Sequence, residues 1–91
     1  MITKADAIKI GQAICAAVSR EQQNAIDKGC NRSRLAARGA GVYAMDNLWY
    51  DVLPIKVRDS FYADSQRGNP RGLPPLGQGK DAFYKACGWP D

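Results

Sequence analysis

The sequence predicts an all-α fold: a small single-domain bundle of three to four helices over residues 1–91, with a Pro/Gly-rich loop before a short C-terminal helix. Three observations predict it. No segment alternates apolar and polar residues with β-branched side chains, and the single threonine is Thr3, so strands lack their usual material. Apolar residues recur instead at three- and four-residue steps. The acidic residues are eight Asp and one Glu, Glu21. Asp favours helix N-caps and turns, where Glu favours helix interiors.

The first helix is predicted over about 3–28. Thr3 and Asp6 have the spacing of a capping box. Ala7, Ile10, Ile14, Cys15, Val18, Ala25 and Ile26 form one apolar stripe, which Ile8 widens. Gly29 is the predicted stop. The alanine load keeps the stripe thin, so a neighbour can approach closely.

A second helix follows over about 31–53, capped by Asn31 or Ser33 and stopped by Pro54. Leu35, Val42, Met45, Trp49 and Val52 fall on one side, flanked by Tyr43 and Tyr50. Gly39 and Gly41 each cost roughly 1 kcal/mol relative to Ala in a helix interior. Either the helix breaks at 39–41, or the glycines let it press against the alanine-rich first helix. One helix with a kink there is the expectation.

Pro54 suits the first turn of a third helix over about 54–66, with Val57 and Phe61, and Ile55 and Tyr62 beside them, as its apolar face. Arg67 and Gly68 close it. The loop 67–79, with "RGNPRGLPPLGQG" at its heart, is too dense in Gly and Pro for regular structure. A final helix over about 80–87 ends at Gly88 and leaves a Trp89-Pro90-Asp91 tail. "RDSFYADSQRG" and "KDAFYKACG" echo each other faintly, which capping preference explains better than a repeat. All eight aromatics lie from Tyr43 onward, so a small-residue first half is expected to receive an aromatic second half.

Composition limits the chemistry. There is no histidine, which removes Ser-His-Asp and Cys-His pairs and most zinc sites together. Cys15, Cys30 and Cys87 are widely spaced and form no metal or disulfide pattern, as suits a reduced intracellular chain. Cys15 reads as a small core residue rather than a reactive thiol. Asp46 and Asp51, and again Asp59 and Asp64, are five residues apart and so lie on different helix faces. No catalytic residue, metal ligand or cofactor is expected, and the protein is read as a non-enzyme. The apolar stretch "IKIGQAICAAV" is too short and too interrupted to span a membrane or serve as a signal peptide. A cytoplasmic location is the default.

A net charge of +4 permits an acidic protein partner or nucleic acid without demanding either. Arg32, Arg34 and Arg38 crowd the start of the second helix, where cations oppose the macrodipole. Free backbone N–H groups and arginines at a helix start suit an anion. Three partners come into question: Glu21, Asp27 or another Asp of this chain, an acidic protein surface, or nucleic acid, in that order. The helix–turn–helix pattern of "IDKGCNRSRLAARGAG" is weak, because Ala-Gly follows the arginines where base-reading side chains belong.

"GQGKDA" fits a relaxed G-x-G-x-x-A, but no strand precedes it. "RGLPPLG" resembles the core bound by SH3 domains, carried by Arg71, Leu73, Pro74, Pro75 and Leu76. Gly77 stands where the last proline of P-x-x-P belongs, so a rigid connector is the reading. Trp49, Tyr50, Arg67, Arg71, Tyr84 and Trp89 are the residue types that anchor interfaces; Trp89 is expected to plug the core. The function expected is that of an accessory or inhibitory factor occupying a surface of a larger protein, such as phages and mobile elements use against host machines, defence systems included. The alternatives are a nucleic-acid-binding accessory protein using the three arginines, or a self-associating structural subunit.

Overall fold

The computed structural model describes residues 1–67 and 78–90, the side chains of Arg67 and Gln78 excepted. Four α-helices run as α1 (Lys4–Asp27), α2 (Asn31–Asn47), α3 (Ile55–Arg67) and α4 (Gln78–Cys87), with a π-helical segment, Leu48–Val52, continuing α2. No strand occurs among the described residues. None of the described helices is long and apolar enough to cross a membrane. The loop with Arg71 and the "RGLPPLG" stretch lies outside the described residues.

The helix ends follow from local chemistry. Thr3 accepts from the Asp6 amide and Asp6 accepts from the Thr3 amide, both at 3.1 Å, closing the capping box. These bonds, the Thr3 amide first, hold the Asp6 carboxyl below its ordinary range. At the other end Gly29, with φ 70°, turns the chain. The Gly29 amide donates to the Ile26 carbonyl and the Cys30 amide to that of Ala25, the paired bonds of a Schellman motif. The cap of α2 is Cys30, not Asn31 or Ser33: its Sγ accepts from the Ser33 amide at 3.4 Å and lies 3.0 Å from Ser33 Oγ. The Schellman turn leaves Cys30 extended directly after Gly29, so the cap falls one residue earlier than a polar side chain would place it.

α2 runs unbroken through Gly39 and Gly41, and the irregularity comes later. Beyond Asn47 the ladder widens until the Leu53 amide donates to the Leu48 carbonyl at 3.0 Å, an i→i+5 bond. Leu53 is extended, and the Pro54 carbonyl accepts from Val57 and Arg58 to start α3.

The core is narrower than the apolar pattern predicts. On α1 the buried line is Ala7, Gly11, Cys15 and Val18, with Ala25 further on, while Ile10 and Ile26 are exposed. On α2 and the π segment it is Gly41, Met45, Leu48 and Trp49; Leu35, Val42 and Val52 face solvent. The reason is close approach. A Cβ on Gly11 would lie 2.1 Å from Cys87 Sγ, and one on Gly41 would lie 2.2 Å from Val18 Cγ2. The neighbours sit where α1 and α2 are smallest, so Ile10, Ile26, Leu35, Val42 and Val52 turn outward. Gly39, by contrast, has open space around it.

α1 packs chiefly on α2, and α3 on α4. Between the pairs Trp49, Phe61 and Phe83 form an aromatic cluster, with centroids 5.0–6.0 Å apart. Phe61 and Phe83 are almost wholly buried, each contributing about 1.5–3 kcal/mol by burial. Lys4 reaches across from α1 to pair with Asp64 and lies over the Phe61 ring. The molecule measures 44 × 32 × 17 Å, and large apolar side chains on α1, α2, the π segment and α3 remain exposed.

Two measurements test this packing. Gly41→Ala and Gly11→Ala should each destabilise by about 1–3 kcal/mol through overpacking, whereas Gly39→Ala should stabilise by up to about 1 kcal/mol. Urea unfolding of the three variants checks the contrast. The second concerns pH. Burial, assisted by the neighbouring Cys15, pushes the Cys87 thiol from 9.0 up to about 12. The folded state therefore holds the proton that the unfolded chain releases. Its contribution is intact below pH 9 and should fall by about 1.4 kcal/mol per pH unit from there toward pH 12. Cys87→Ala should flatten that slope in unfolding curves taken between pH 8 and 10.5.

Candidate functional site

Two parts of the surface concentrate the predicted residues. The first is the C-terminal turn. Gly88, with φ 79°, repeats the Schellman geometry: its amide donates to Lys85 and that of Trp89 to Tyr84. This motif brings the residues at its two ends into contact, and the rings of Trp89 and Tyr84 lie 5.2 Å apart. Trp89 lies over Gly41, where an added Cβ would sit 3.1 Å from the indole. Arg38 closes the arrangement, donating to the Pro90 carbonyl at 2.8 Å with its guanidinium 5.5 Å from the Trp89 ring centre. Trp89 is thus the plug that the sequence suggests, half-buried against α2.

The arginine cluster divides accordingly. Arg34 donates twice to Asn31 Oδ1, at 2.9 and 3.1 Å. Arg38 holds the tail, and Arg32 is exposed. Among the described residues the partners of Arg34 and Arg38 are neutral oxygens and an aromatic face rather than Glu21 or Asp27, and Asp27 accepts from Gln23. Nearby, hydrogen bonds from Ser33 draw the Cys30 thiol below its ordinary range. Cys15 is buried, and burial pushes its thiol upward.

The second part is an open cleft of about 430 Å³ between the π segment, α3 and α4, lined by Trp49, Tyr50, Ile55, Arg58, Asp59, Tyr62, Gly79 and Lys80. Trp49 is its floor: it is only 8% exposed and belongs to the core, so it backs the cleft instead of projecting as an anchor. Tyr50 and Ile55 stand out at 58% and 66% exposure, with Tyr62 beside them at 41%. Consecutive helical positions point about 100° apart, so Trp49 turns inward while its neighbour Tyr50 turns outward. Single π turns of this kind recur at functional sites.

Charge in the cleft is partly committed. Lys80 pairs with Asp46 at 3.4 Å and lies 5.3 Å from the Tyr50 ring centre. Burial works to lower the Lys80 pKa, but Asp46 and Tyr50 outweigh it and the net shift is upward. Asp46 also accepts from the Tyr84 hydroxyl at 2.7 Å. Burial first, then that carboxylate, raises the Tyr84 hydroxyl well above its ordinary range. Tyr84 is therefore a brace between α4 and α2. Arg58 differs: its Nε is buried and makes no hydrogen bond among the described residues, an arrangement that costs free energy.

Of the predicted anchors, the structure brings Trp49 and Tyr50 to the cleft and Tyr84 and Trp89 to the C-terminal turn. The side chain of Arg67, and the whole of Arg71, lie outside the described residues. Arg58, Lys80, Ile55 and Tyr62 were missed as site residues. Their signal was present in the spacing: Ile55, Arg58, Asp59 and Tyr62 follow an i, i+3, i+4, i+7 pattern, a second face on α3 beside the buried Val57–Phe61 line. Among the described residues no three His, Cys, Asp or Glu side chains converge as a metal site would require. Compared with protein-family models, curated proteins and solved structures, the chain gives no match, so its functional reading rests on residues and geometry.

The arginines should separate in a stability measurement. Arg38→Ala should cost about 1–2 kcal/mol, losing a charge-assisted hydrogen bond and an aromatic contact. Arg34→Ala, at an exposed local contact, should stay within about 0.5 kcal/mol. Thermal unfolding of the two variants tests this.

Proposed function

We propose that the protein is a small non-enzymatic binding factor that occupies a surface of a larger protein, as an accessory or inhibitory component, and that it docks through the cleft beside the π segment. One observation carries the reading: exposed Tyr50 and Ile55, with Tyr62 and Arg58, line one open cleft. Tyrosine and arginine over a rigid floor are the material of interface hot spots. Trp49 supplies that floor and is fixed by Phe61 and Phe83, so little ordering remains to oppose binding. A factor of this kind acts by occupancy: it covers what its partner would otherwise use.

The arginines at the start of α2 support a nucleic-acid reading less well. Phosphate binding draws on side chains free to reach a backbone, and here Arg34 and Arg38 already serve Asn31 and the tail.

Affinity capture from a cell lysate, read by mass spectrometry, tests the proposal. The double variant Tyr50→Glu, Ile55→Glu should lose its captured partner at least about tenfold, since it places charge at hot-spot positions, while its Tm stays near that of the parent. An unchanged set of captured proteins would overturn docking through the cleft. Sub-micromolar binding of a random duplex or single strand, with a steep salt slope in fluorescence anisotropy, would move the function to nucleic acid.

A further inference from the structure

α2 turns a long face away from the core. Gly41 and Met45 are buried on its inner side. Opposite them come Arg32, Ala36, Gly39 and Tyr43, all exposed, at steps of four, three and four residues. That is the spacing of a helix–helix seam. Tyr43 stands out at 72% exposure, with Leu35 and Val42 exposed beside the seam. Gly39 has nothing within 4 Å of the point where a Cβ would stand. No neighbour among the described residues uses its missing side chain, although glycine weakens a helix interior. A helix from outside the chain would use that space.

The free charges of this face sit at its two ends. Arg32 stands in the first turn of α2 and Asp51 in the π segment that ends the element, both exposed. Neither side chain has a hydrogen bond or ion pair among the described residues. Each opposes the dipole of its own helix. Leu35, Ala36, Gly39, Ala40, Val42 and Tyr43, between them, carry no charge.

A second copy of the chain resolves both conflicts. Turned end for end about a two-fold axis level with Gly41, each copy lays its Tyr43 on Gly39 of the other. The same operation sets Arg32 beside Asp51 of the other copy and against the negative end of that helix. Both pairs are centred on one level: Gly39 and Tyr43 flank Gly41 equally, and Arg32 and Asp51 do so to within one residue. A parallel pair would set like charges together at each end. We infer that the protein self-associates through this face as an antiparallel, two-fold symmetric dimer, with Tyr43 seated on Gly39 and Arg32 paired with Asp51.

None of those four residues lines the cleft, so the dimer goes beyond the docking reading and does not rest on it. α2 has 17 residues and is roughly 25 Å long. A seam of that length falls at the small end of specific interfaces, below about 1,200 Å² in total. The dimer is therefore one that dissociates at micromolar concentration.

Sedimentation equilibrium of the whole chain at low salt, between about 1 and 500 µM, tests it. The mass should rise from that of the 9.9 kDa monomer toward twice that value and no further, because an isologous contact closes at two copies. Tyr43→Ala should weaken association at least about tenfold, with Tm at dilution unchanged. Arg32→Asp and Asp51→Arg should each weaken it about tenfold by setting like charges together. Each also relieves its own helix dipole, so loss of fold does not explain the loss of the dimer. The double variant Arg32→Asp, Asp51→Arg should associate as the parent does, and added salt should weaken both. A monomer at every concentration, assembly beyond two copies, or a dimer indifferent to Tyr43→Ala would overturn the inference. So would single reversals without effect, or a double variant that stays monomeric. A monomeric chain that loses a protein captured from lysate on Tyr43→Ala gives the face to another protein, and overturns it too. The docking reading fails separately, on Tyr50→Glu with Ile55→Glu.

Discussion

The fold depends on close approach at two glycines. Gly11 admits Cys87 and the tip of Phe83 against the backbone of α1, and Gly41 admits Val18 and the Trp89 indole against α2. The packing of α4 on α1, and of α1 and the C-terminal turn on α2, meets at these seats. Because α4 comes close at Gly11, Phe83 reaches Trp49 and Phe61 to form the aromatic cluster. Because Val18 and Trp89 meet at Gly41, the C-terminal turn closes over the α1–α2 pair. A methyl group at either point forces neighbours apart in a core that has few residues to spare.

The C-terminus acts as a strap on this arrangement. Gly88 reverses the chain, the rings of Tyr84 and Trp89 meet at a tilt, and Arg38 takes the Pro90 carbonyl. Tyr84 adds a bond to Asp46, which in turn holds Lys80. A chain of polar and aromatic contacts thus runs from the tail to the rim of the cleft. The small size of the core leaves the opposite consequence. With so little interior, Leu35, Tyr43, Tyr50, Val52 and Ile55 remain exposed, and the cleft gathers some of them around Arg58. A stable chain with this much outward apolar surface is suited to being covered by something else.

Most local structure was legible along the chain. Thr3 and Asp6, Gly29, Pro54 and Gly88 mark helix ends by mechanisms that need only neighbouring residues. Periodicity gave the helices but misjudged their faces. Ile10, Ile26, Leu35 and Val42 count as core residues in any hydrophobic stripe, yet they are exposed. Hydrophobicity says which residues prefer burial; the backbone approach at Gly11 and Gly41 says which line receives it. The site was legible only in part. Tyr50 stands out by residue type; Trp49, expected both on the apolar side of the second helix and as an anchor, lies in the core. Arg58 passed unnoticed because an arginine on a helix is ordinary until its Nε is found buried and unpaired.

By itself the sequence determined the all-α class, most helix boundaries, the exclusion of histidine chemistry, and the capped turns that need no distant partner. These depend on interactions within about four residues, which a linear reading contains. Only the tertiary structure decided that α2 crosses its glycines unbroken and loosens into a π turn instead. It alone showed that Arg38 holds the tail, and that Arg58, Lys80, Tyr50, Ile55 and Tyr62 share one cleft. Those outcomes turn on contacts between residues up to fifty-two positions apart, as between Arg38 and Pro90. Helix spacing repeats along a chain, but the choice of which faces meet is made by packing, where one added methyl group is enough to move a helix.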